Sequence, residues 1–347
     1  MVDNMRVRIK KQLSIAIFTG TLNPDIETFR LMLEAVKKQR YRGKIHHYIF
    51  DGGTTNGAIS LAKNYGCIVH VFDNDVNEGS DRLFFSKKLL TEDIALILQS
   101  DNILPDKDFL TQLIEPFEDE EIIATFPMHN TYMKNMHMLT RYTALIGAPD
   151  PTLFYLEKSD KVPMFQKRYD KGIIMREEKR YYKVKFTEDT LPTVGDNGFA
   201  VRTHIFKGLL HKNEVFYHTD KYMELVSKGI DTYGVIKNAI IHTTKPGILL
   251  QVKRRVEVKK HCTDEAKVKR VYLVYNPASP KDRWRLFLYI VYSLTFIQPL
   301  ALSIRGFIGV PDVAWFLHPV MCFLMVIAYG WSEIKRVMRR VIFSYEK

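Results

Sequence analysis

Short apolar runs alternate with amphipathic stretches over the first hundred residues of the chain. Four runs predict buried strands: LSIAIF (13–18), KIHHYIFDGG (44–53), CIVHVFDN (67–74) and IALILQSDN (94–102). The segments between them have the apolar spacing of helices: IETFRLMLEAVKKQ, TTNGAISLAKNYG and SDRLFFSKKLLTED. Strands that alternate with helices predict an α/β fold with a mostly parallel, Rossmann-like sheet and helices on both of its faces.

Polar residues stand where three of these predicted strands end. Asn23 and Asp51 follow the first two strands, and Asp101 follows the fourth. Ligands of such sheets bind beyond the carboxyl ends of the strands, so we expect the three side chains to converge on a nucleotide-like ligand. The alternative is a local role, because an aspartate followed by Asn and then Pro often only forms a turn or caps a helix.

The C-terminal part contains two long apolar runs. Residues 286–304 and residues 314–331 carry no formal charge, and each run is long enough to span a hydrocarbon core of roughly 30 Å. All tryptophans of the chain lie at the ends of these runs, as in an interfacial belt: Trp284, Trp315 and Trp331. Basic residues flank the pair, which predicts a two-helix transmembrane hairpin with both ends in the cytoplasm. Because Pro299 and Pro319 interrupt the runs, a re-entrant or in-plane hairpin is the alternative.

The positive charge of the chain is concentrated beside these runs. The net charge is +12, and residues 245–285 hold twelve Lys or Arg against four Asp or Glu. A basic segment next to apolar runs fits anionic lipid headgroups better than a nucleic-acid groove, so we expect a membrane partner and no nucleic acid. The three cysteines have no metal-type or paired spacing, which indicates a reducing compartment. Residues 1–20 lack the apolar run of a signal peptide, so the N-terminal part is expected in the cytoplasm.

Five segments, taken in their order and spacing, resemble a family 2 glycosyltransferase with the GT-A fold. They are SIAIFTGTLN, YIFDGGTTNGA, LILQSDNILPDKDF, VGDNGFAVRTHIF and FYHTDKYMELVSKGI. These are similar to the family's first strand and nucleotide loop, its base-binding turn, its Asp-x-Asp strand, its acceptor-side Gly-Phe-x-x-Arg segment and the helix that opens with Glu-Asp. The resemblance implies a GT-A domain over residues 12–250.

The resemblance also implies roles for individual residues. Asp220 would be the catalytic base, and Asp101 would ligate Mg²⁺ or Mn²⁺ on the donor diphosphate, with His242 as a weaker candidate ligand. The donor-binding residues would be Thr19, Thr21, Asn23, Asp51, Gln99, Ser100 and Asp101. The acceptor side would include Gly198, Arg202, His218, Gln251 and Arg254. The chemistry needs these residue types, because a diphosphate leaving group requires a hard cation and an acceptor hydroxyl requires a carboxylate base.

Several positions depart from the family pattern. Gln99 replaces the first Asp of Asp-x-Asp, Asn56 replaces the second Asp of the base-binding turn, and His218 with Thr219 replaces the Glu before the base. A neutral amide oxygen is a weaker metal ligand than a carboxylate, so a polar pocket wall without a metal is an alternative for Gln99. The alternative for His242 is a core histidine whose hydrogen bonds are satisfied within the protein. The alternative for residues 251–255 is a basic strip on the membrane surface.

Together these features predict an inverting glycosyltransferase. It would move a sugar from a nucleoside-diphosphate donor, with a UDP-linked sugar as the first choice, to a membrane or lipid-linked acceptor in glycan, polysaccharide or glycolipid biosynthesis. The alternatives are a polyprenyl-phosphate glycosyltransferase and a non-catalytic sugar-nucleotide-binding relative. The predicted organisation is a basic lead (1–11), the GT-A domain (12–250), a basic membrane-surface segment (251–285), two transmembrane helices (286–304 and 314–331) and a basic cytoplasmic tail (332–347).

Overall fold

The computed structural model describes residues 12–72, 80–212, 214–264 and 269–345. The predicted basic lead, residues 1–11, lies outside them. The strands are β1 (Ile15–Thr21), β2 (Ile45–Asp51), β3 (Ile68–Val71), β4 (Ile94–Ile97), β5 (Asn102–Ile103), β6 (Ala124–Asn130), β7 (Ile173–Glu177), β8 (Tyr181–Lys185), β9 (Phe199–Arg202) and β10 (Thr232–His242). The helices are α1 (Ile26–Lys37), α2 (Ala58–Asn64), α3 (Ser80–Leu89), α4 (Phe109–Ile114), α5 (Met138–Ile146), α6 (Pro151–Tyr155), α7 (Thr203–Leu209), α8 (His218–Ser227), α9 (Ile248–Lys259), α10 (Pro280–Thr295), α11 (Ile297–Gly309) and α12 (Leu317–Tyr345).

One mixed sheet organises the described strands, in the order β3-β2-β1-β4-β9-β6-β10-β8-β7, with β5 paired to β10. The four strands expected from the apolar runs, β3, β2, β1 and β4, are parallel neighbours. Antiparallel β9 joins them to the parallel pair β6 and β10. The predicted α/β class with a mostly parallel sheet is therefore confirmed.

Strand β1 shows why its sequence is apolar throughout. Ala16 and Phe18 point into the hydrophobic core on one face of the sheet, whereas Ile15 and Ile17 point into the core on the other face. A strand covered on both faces cannot alternate apolar with polar residues. The polar residues of β1, Thr19 and Thr21, lie near the carboxyl end of the strand. The candidate site begins there.

The first predicted transmembrane helix is not a single helix. Helix α10 ends at Thr295, Phe296 has a φ of 61°, and α11 then continues at 81° to α10. The cause is Pro299, which has no N–H to donate to the Thr295 carbonyl and whose ring would clash with that carbonyl in a continuous helix. The predicted transmembrane helix over residues 286–304 is thus divided between α10 and α11, and whether this bent pair spans a membrane stays a prediction.

The second apolar run does form a long helical segment. By length and composition, Val313–Met338 could cross a membrane, whereas α10 and α11 would count as a second span only as a bent pair. A third hydrophobic core joins α5 and α9 to α11 and α12, with Trp315 fully buried at its centre. The C-terminal helices are therefore packed against the part of the chain that carries the sheet.

Candidate functional site

The turn after β2 is built around Asp51, which is fully buried. One carboxylate oxygen accepts the Thr21 hydroxyl (2.8 Å), and the other accepts the backbone N–H groups of Gly53 (2.8 Å) and Thr54 (2.7 Å). Burial alone would raise the pKa of Asp51, but these hydrogen bonds from Thr54, Thr21 and Gly53 hold it below its ordinary value. Asp51 therefore stays ionised and fixes the loops after β1 and β2 against each other.

Asn23 closes the same pair of loops. Its backbone N–H donates to the Thr54 hydroxyl (3.0 Å), and its side-chain oxygen accepts the N–H of Thr55 (2.9 Å). The residue adopts a left-handed conformation with a φ of 45°, which Asn tolerates better than most residues. The predicted donor residues Asn23, Thr21 and Asp51 thus belong to one hydrogen-bonded cluster that joins the two loops.

Thr19, also predicted on the donor side, points into the interior instead. Its hydroxyl lies 2.9 Å from Nε2 of the buried His47 in β2. Burial lowers the pKa of His47 from 6.5 to about 4, so the ring is neutral at pH 7. Thr19 supports the first strand and does not line the cleft described below.

His47 should make the fold sensitive to acid. The unfolded chain takes up this proton near pH 6.5 and the folded chain only near pH 4, so stability should fall as the pH drops through this window. The loss is at most about 3 kcal/mol, at about 1.4 kcal/mol per pKa unit. We expect His47→Gln to flatten the decline in urea unfolding experiments between pH 7 and pH 4. The same substitution at the exposed His211 should leave the decline as in the wild type.

A cleft of about 440 Å³ opens at the carboxyl ends of β1 and β4, within the usual range for small-molecule sites. Its walls come from the ends of these strands, the loop before β9, and helices α7 and α8. The lining residues are Phe18, Gly20, Thr21, Leu22, Phe50, Ile97, Gln99, Gly195, Asp196, Phe206, Phe216, His218 and Tyr222. A lining that combines polar groups with aromatic rings suits a ligand with both polar and flat apolar parts.

Gln99 makes a contact that the sequence did not predict. Its side-chain Nε2 donates to the Asp196 carboxylate at 2.6 Å, and both residues line the cleft. The amide that replaces the first Asp of the family motif therefore orients another carboxylate toward the ligand space. Ser100, next in the chain, is half-buried.

Asp101 and His242 are brought together by the pairing of β5 with β10. His242 lies opposite Asn102 in that pair, and its Nε2 is 3.6 Å from the Asp101 carboxylate. Burial would raise the pKa of Asp101, but His242 and the charge of Arg254 lower it. Within the described residues no cluster of three or more His, Cys, Asp or Glu could hold a metal, so Asp101 and His242 would supply two ligands at most.

Asp220 is held in a buried ion pair. Its two oxygens accept Nε (2.8 Å) and Nη2 (2.9 Å) of Arg270, and one also accepts the backbone N–H of Tyr272 (3.0 Å). The Arg270 guanidinium in turn stacks on the ring of Tyr217 at 4.1 Å. Asp220 is 6% exposed, so its role as a base stays a prediction that would require Arg270 to move.

The predicted acceptor-side residues separate into two groups. His218 lines the cleft, and Arg254 lies close enough to Asp101 for its positive charge to lower the pKa of that carboxyl. Burial lowers the pKa of His218, so its ring is neutral at pH 7. Gln251 is buried and donates to the Pro149 carbonyl (3.0 Å), while Gly198 packs under Ile240.

Arg202 does not lie at the cleft. It pairs with Ile94, the first residue of β4, so it lies at the opposite end of this strand from the cleft. Its guanidinium donates to backbone carbonyls of Phe117, Asp119 and Ile122 at 2.8 to 2.9 Å. The structure therefore does not bring Arg202 to the cleft, because β9 carries the chain away from the Asp196 loop, and the acceptor role of Arg202 stays a prediction without support from this geometry.

Gly195 sets the distance between the Asp196 loop and α8. It has a φ of +109°, and a Cβ there would lie 2.7 Å from the Tyr222 ring and 2.8 Å from the His218 Cβ. We expect Gly195→Ala to lower the free energy of unfolding by about 1–3 kcal/mol, through overpacking and backbone strain. Gly229→Ala is the matched control, because Gly229 also has a positive φ (+77°) but an added Cβ meets nothing within 4 Å. Equal losses in the two variants, measured by urea unfolding, would show that contact with α8 does not matter.

Two site residues escaped the sequence analysis. Asp196 lies in the segment that the family resemblance places on the acceptor side, and its Asp-Asn-Gly sequence by itself indicates only a turn. Arg270 lies 50 residues beyond its partner Asp220 in a stretch without a motif, and no sequence signal marked it.

The fold is similar to that of known glycosyltransferases. The mannosyltransferase PcManGT from Pyrobaculum calidifontis, solved in complex with GDP-Man and Mn²⁺, matches with a TM-score of 0.52 at 12% identity, covering 93% of this chain and 88% of that chain. Glucosyl-3-phosphoglycerate synthase from Mycobacterium tuberculosis, solved with Mn²⁺, UDP and glucosyl-3-phosphoglycerate, has a TM-score of 0.45 at 15% identity, covering 75% of this chain and 82% of that chain. No family model matches the chain, and no curated protein matches it. The first likeness confirms the predicted GT-A-like fold.

Proposed function

We propose that this chain is a glycosyltransferase that uses a divalent cation to transfer a sugar from a nucleoside-diphosphate donor to a membrane-proximal acceptor. The observation that carries the proposal is the meeting of Asp101 and His242 at the sheet edge where Asp51 ends β2. One carboxylate and one imidazole fit a cation whose other positions are filled by the donor diphosphate and water. The cation, either Mg²⁺ or Mn²⁺, would neutralise charge on the leaving diphosphate.

The donor would enter the cleft with its base toward the Asp51 turn. Thr21 and Asn23 hold this turn in place, and the stacked, buried rings of Phe18 and Phe50 support the floor of the cleft behind it. A UDP-linked sugar is the first choice because the turn resembles the family's base-binding turn. A GDP-linked sugar is the alternative, since the similar mannosyltransferase was solved with GDP-Man.

The transfer itself needs a group that accepts the acceptor's proton. The acceptor hydroxyl oxygen would attack the anomeric carbon from the face opposite the diphosphate, the bond to the diphosphate oxygen would break, and the proton would pass to a carboxylate. Attack on the opposite face inverts the anomeric configuration. The chain therefore has to present an ionised carboxylate to the cleft.

Two carboxylates are candidates for this base. Asp220 is the residue implied by the family pattern, but both of its oxygens are occupied by Arg270 and Tyr272. Asp196 lines the cleft, and its Oδ1 accepts both the Gln99 side-chain amide (2.6 Å) and the Asn197 backbone N–H (3.0 Å), with no cationic partner among these donors. In this arrangement Asp196 is the better placed of the two, and Asp220 could act only after release from Arg270.

The acceptor is proposed to be lipid-linked, with the chain acting as a family 2 enzyme on the cytoplasmic side of a membrane. The apolar C-terminal helices would hold the cleft near the headgroups, where a polyprenyl-linked glycan presents its hydroxyls. A polyprenyl phosphate is the alternative acceptor. Its phosphate oxygen is already ionised at pH 7, so that reaction would need no carboxylate base.

One observation favours a non-catalytic relative that only binds sugar nucleotides. The buried pair of Asp220 with Arg270 gives the expected base a structural role, so its presence no longer argues for catalysis. Such a relative would bind the donor without releasing nucleoside diphosphate. Asp196 would then be a contact to the sugar.

Nucleotide binding tests the shared part of these proposals. Addition of UDP or GDP with Mn²⁺ should raise the thermal unfolding midpoint, since a ligand at a hundred times its Kd stabilises by about 2.7 kcal/mol. The effect should need Mn²⁺ and should be lost in Asp101→Asn. If neither nucleotide shifts the midpoint with or without Mn²⁺, the proposed donor site is wrong.

A further inference from the structure

The connection between α11 and α12 touches the part of the chain that carries the sheet, here called the sheet domain (residues 12–250). Asp312 in this connection accepts the hydroxyl of Tyr132 (2.5 Å) and pairs with Arg141 (3.1 Å). The Arg305 guanidinium lies 4.9 Å from the ring of Phe165. In a hairpin of two spans this connection would emerge on the far side of a hydrocarbon core about 30 Å thick. It lies instead on the side of the sheet domain.

Helix α12 is also held along much of its length by the sheet domain and α9. The hydrogen bonds pair His318 with Tyr142 (3.0 Å), Tyr329 with Asp150 (2.5 Å) and Glu333 with Lys259 (2.5 Å). His318 and Glu333 are about 22 Å apart along a helix that rises about 1.5 Å per residue. A helix tied down over this distance cannot pass through a bilayer while the sheet domain stays in water.

Each C-terminal helix nevertheless exposes an apolar stripe. Residues three, four or seven apart are exposed on each helix: Trp284, Phe287, Val291 and Leu294 on α10, Ile297, Leu300, Ile304 and Ile308 on α11, and Val320, Ile327, Trp331 and Ile334 on α12. Ile297 and Ile308 are exposed by 74% and 77%. One buried face and one apolar exposed face are what a helix in a membrane interface requires.

Basic side chains border these stripes. Lys281 and Arg283 are exposed at the start of α10, just before the stripe of that helix. Near the end of α12, the Lys335 ammonium lies 5.2 Å from the ring of Trp331. Cations beside an apolar face complement the negative headgroups of an anionic membrane.

We propose that α10, α11 and α12 bind one leaflet of an anionic lipid bilayer from the side of the sheet domain, without crossing it. Because α10 and α11 meet at 81° at Phe296, the two helices would lie along the leaflet in different directions, each through its own apolar stripe. The proposal goes beyond the proposed function and does not depend on it, because it rests on contacts outside the cleft.

A disulfide across the α11 contact distinguishes one-sided binding from a spanning hairpin. A Cβ added at Gly309 lies 3.5 Å from the Phe165 Cβ, which is within the range for disulfides. With the three native cysteines replaced, Phe165→Cys with Gly309→Cys should form a cross-link on oxidation of isolated membranes. Phe165→Cys with Ile308→Cys is the matched control, because the exposed Ile308 should give much less cross-link. No cross-link in the first pair, in protein that accumulates in the membrane, would overturn the proposal.

Chemical labelling tests the same topology without a designed contact. Pro311→Cys and Lys179→Cys each place one thiol at an exposed position, the first between α11 and α12 and the second between β7 and β8. In membrane vesicles of known sidedness, a membrane-impermeant maleimide should label both thiols from the same side. Labelling from opposite sides would establish the spanning hairpin and reject the proposal.

Flotation with vesicles tests the lipid partner. The purified protein should bind vesicles of phosphatidylcholine with phosphatidylglycerol more strongly than vesicles of phosphatidylcholine alone. Ile297→Asp should reduce binding about tenfold, whereas Ile173→Asp, at a 52% exposed residue of β7, should not. Equal binding by the Ile297 variant would overturn the proposal. The proposal would also be overturned if the protein formed dimers without lipid and Ile297→Asp dissociated them. The apolar stripes would then belong to an interface between two copies.

Discussion

Asp101→Asn should lower Mn²⁺-dependent release of nucleoside diphosphate about a thousandfold. The substitution removes the carboxylate charge 3.6 Å from the His242 imidazole, which is the negative ligand proposed for the cation. A bound cation stabilises the leaving group by several kcal/mol, and each 1.4 kcal/mol or so is a factor of ten in rate. The measurement is turnover of the best donor against Mn²⁺ concentration.

The matched control is Asp108→Asn, which makes the same change at an exposed residue whose side chain does not cap α4. It should retain wild-type turnover and Mn²⁺ dependence. Full Mn²⁺-dependent activity in Asp101→Asn would show that the cation binds elsewhere. His242→Ala should fall between the two variants, because it leaves the carboxylate in place.

Asp196→Asn should reduce kcat by about 10²- to 10⁴-fold, the usual effect of removing a general base. The thermal unfolding midpoint should change little, because Asn keeps an oxygen that accepts the Gln99 amide. In Asp220→Asn, by contrast, the buried Arg270 loses its counterion, which should cost about 3–5 kcal/mol of folding stability. Turnover and urea unfolding of the two variants separate a base from a structural carboxylate.

The double variant Asp220→Asn with Arg270→Gln tests the structural role directly. Since it removes both charges of the pair, it should recover part of the stability that Asp220→Asn loses. A stable but inactive Asp220→Asn, together with an active Asp196→Asn, would restore Asp220 as the base. Wild-type turnover in both single variants would indicate an acceptor that is already ionised, such as a lipid phosphate.

The strands and the donor side of the site were predictable because they depend on local patterns. Strands that are covered on both faces of a sheet appear in the sequence as continuous apolar runs. A polar residue that follows such a run lies at the carboxyl end of the strand, where ligands bind. Asp51 and Asp101 were located in this way. His242 lies beside Asp101 because β5 pairs with β10. In the sequence, only the family resemblance indicated His242 as a candidate ligand.

The differences between expectation and structure come from three-dimensional geometry that the residue pattern does not contain. The motif places Arg202 near the acceptor, but the extended strand β9 (Phe199–Arg202) carries the chain about 10 Å away from the cleft, toward the start of β4. The first apolar run had the length of a span, but hydropathy does not record the change of direction that Pro299 imposes at Phe296. The pairing of Asp220 with Arg270 joins segments 50 residues apart and depends on the tertiary fold alone.

The central claim, that the cleft turns over a nucleotide-activated sugar, is tested most directly by donor turnover. Purified, detergent-solubilised protein is incubated with Mn²⁺ and a panel of UDP- and GDP-sugars, with and without lipid-linked acceptors, and released nucleoside diphosphate is measured. We predict release from at least one donor by the wild type and its loss in Asp101→Asn. If no donor is turned over even with lipid acceptors, the account of this protein as a glycosyltransferase is contradicted.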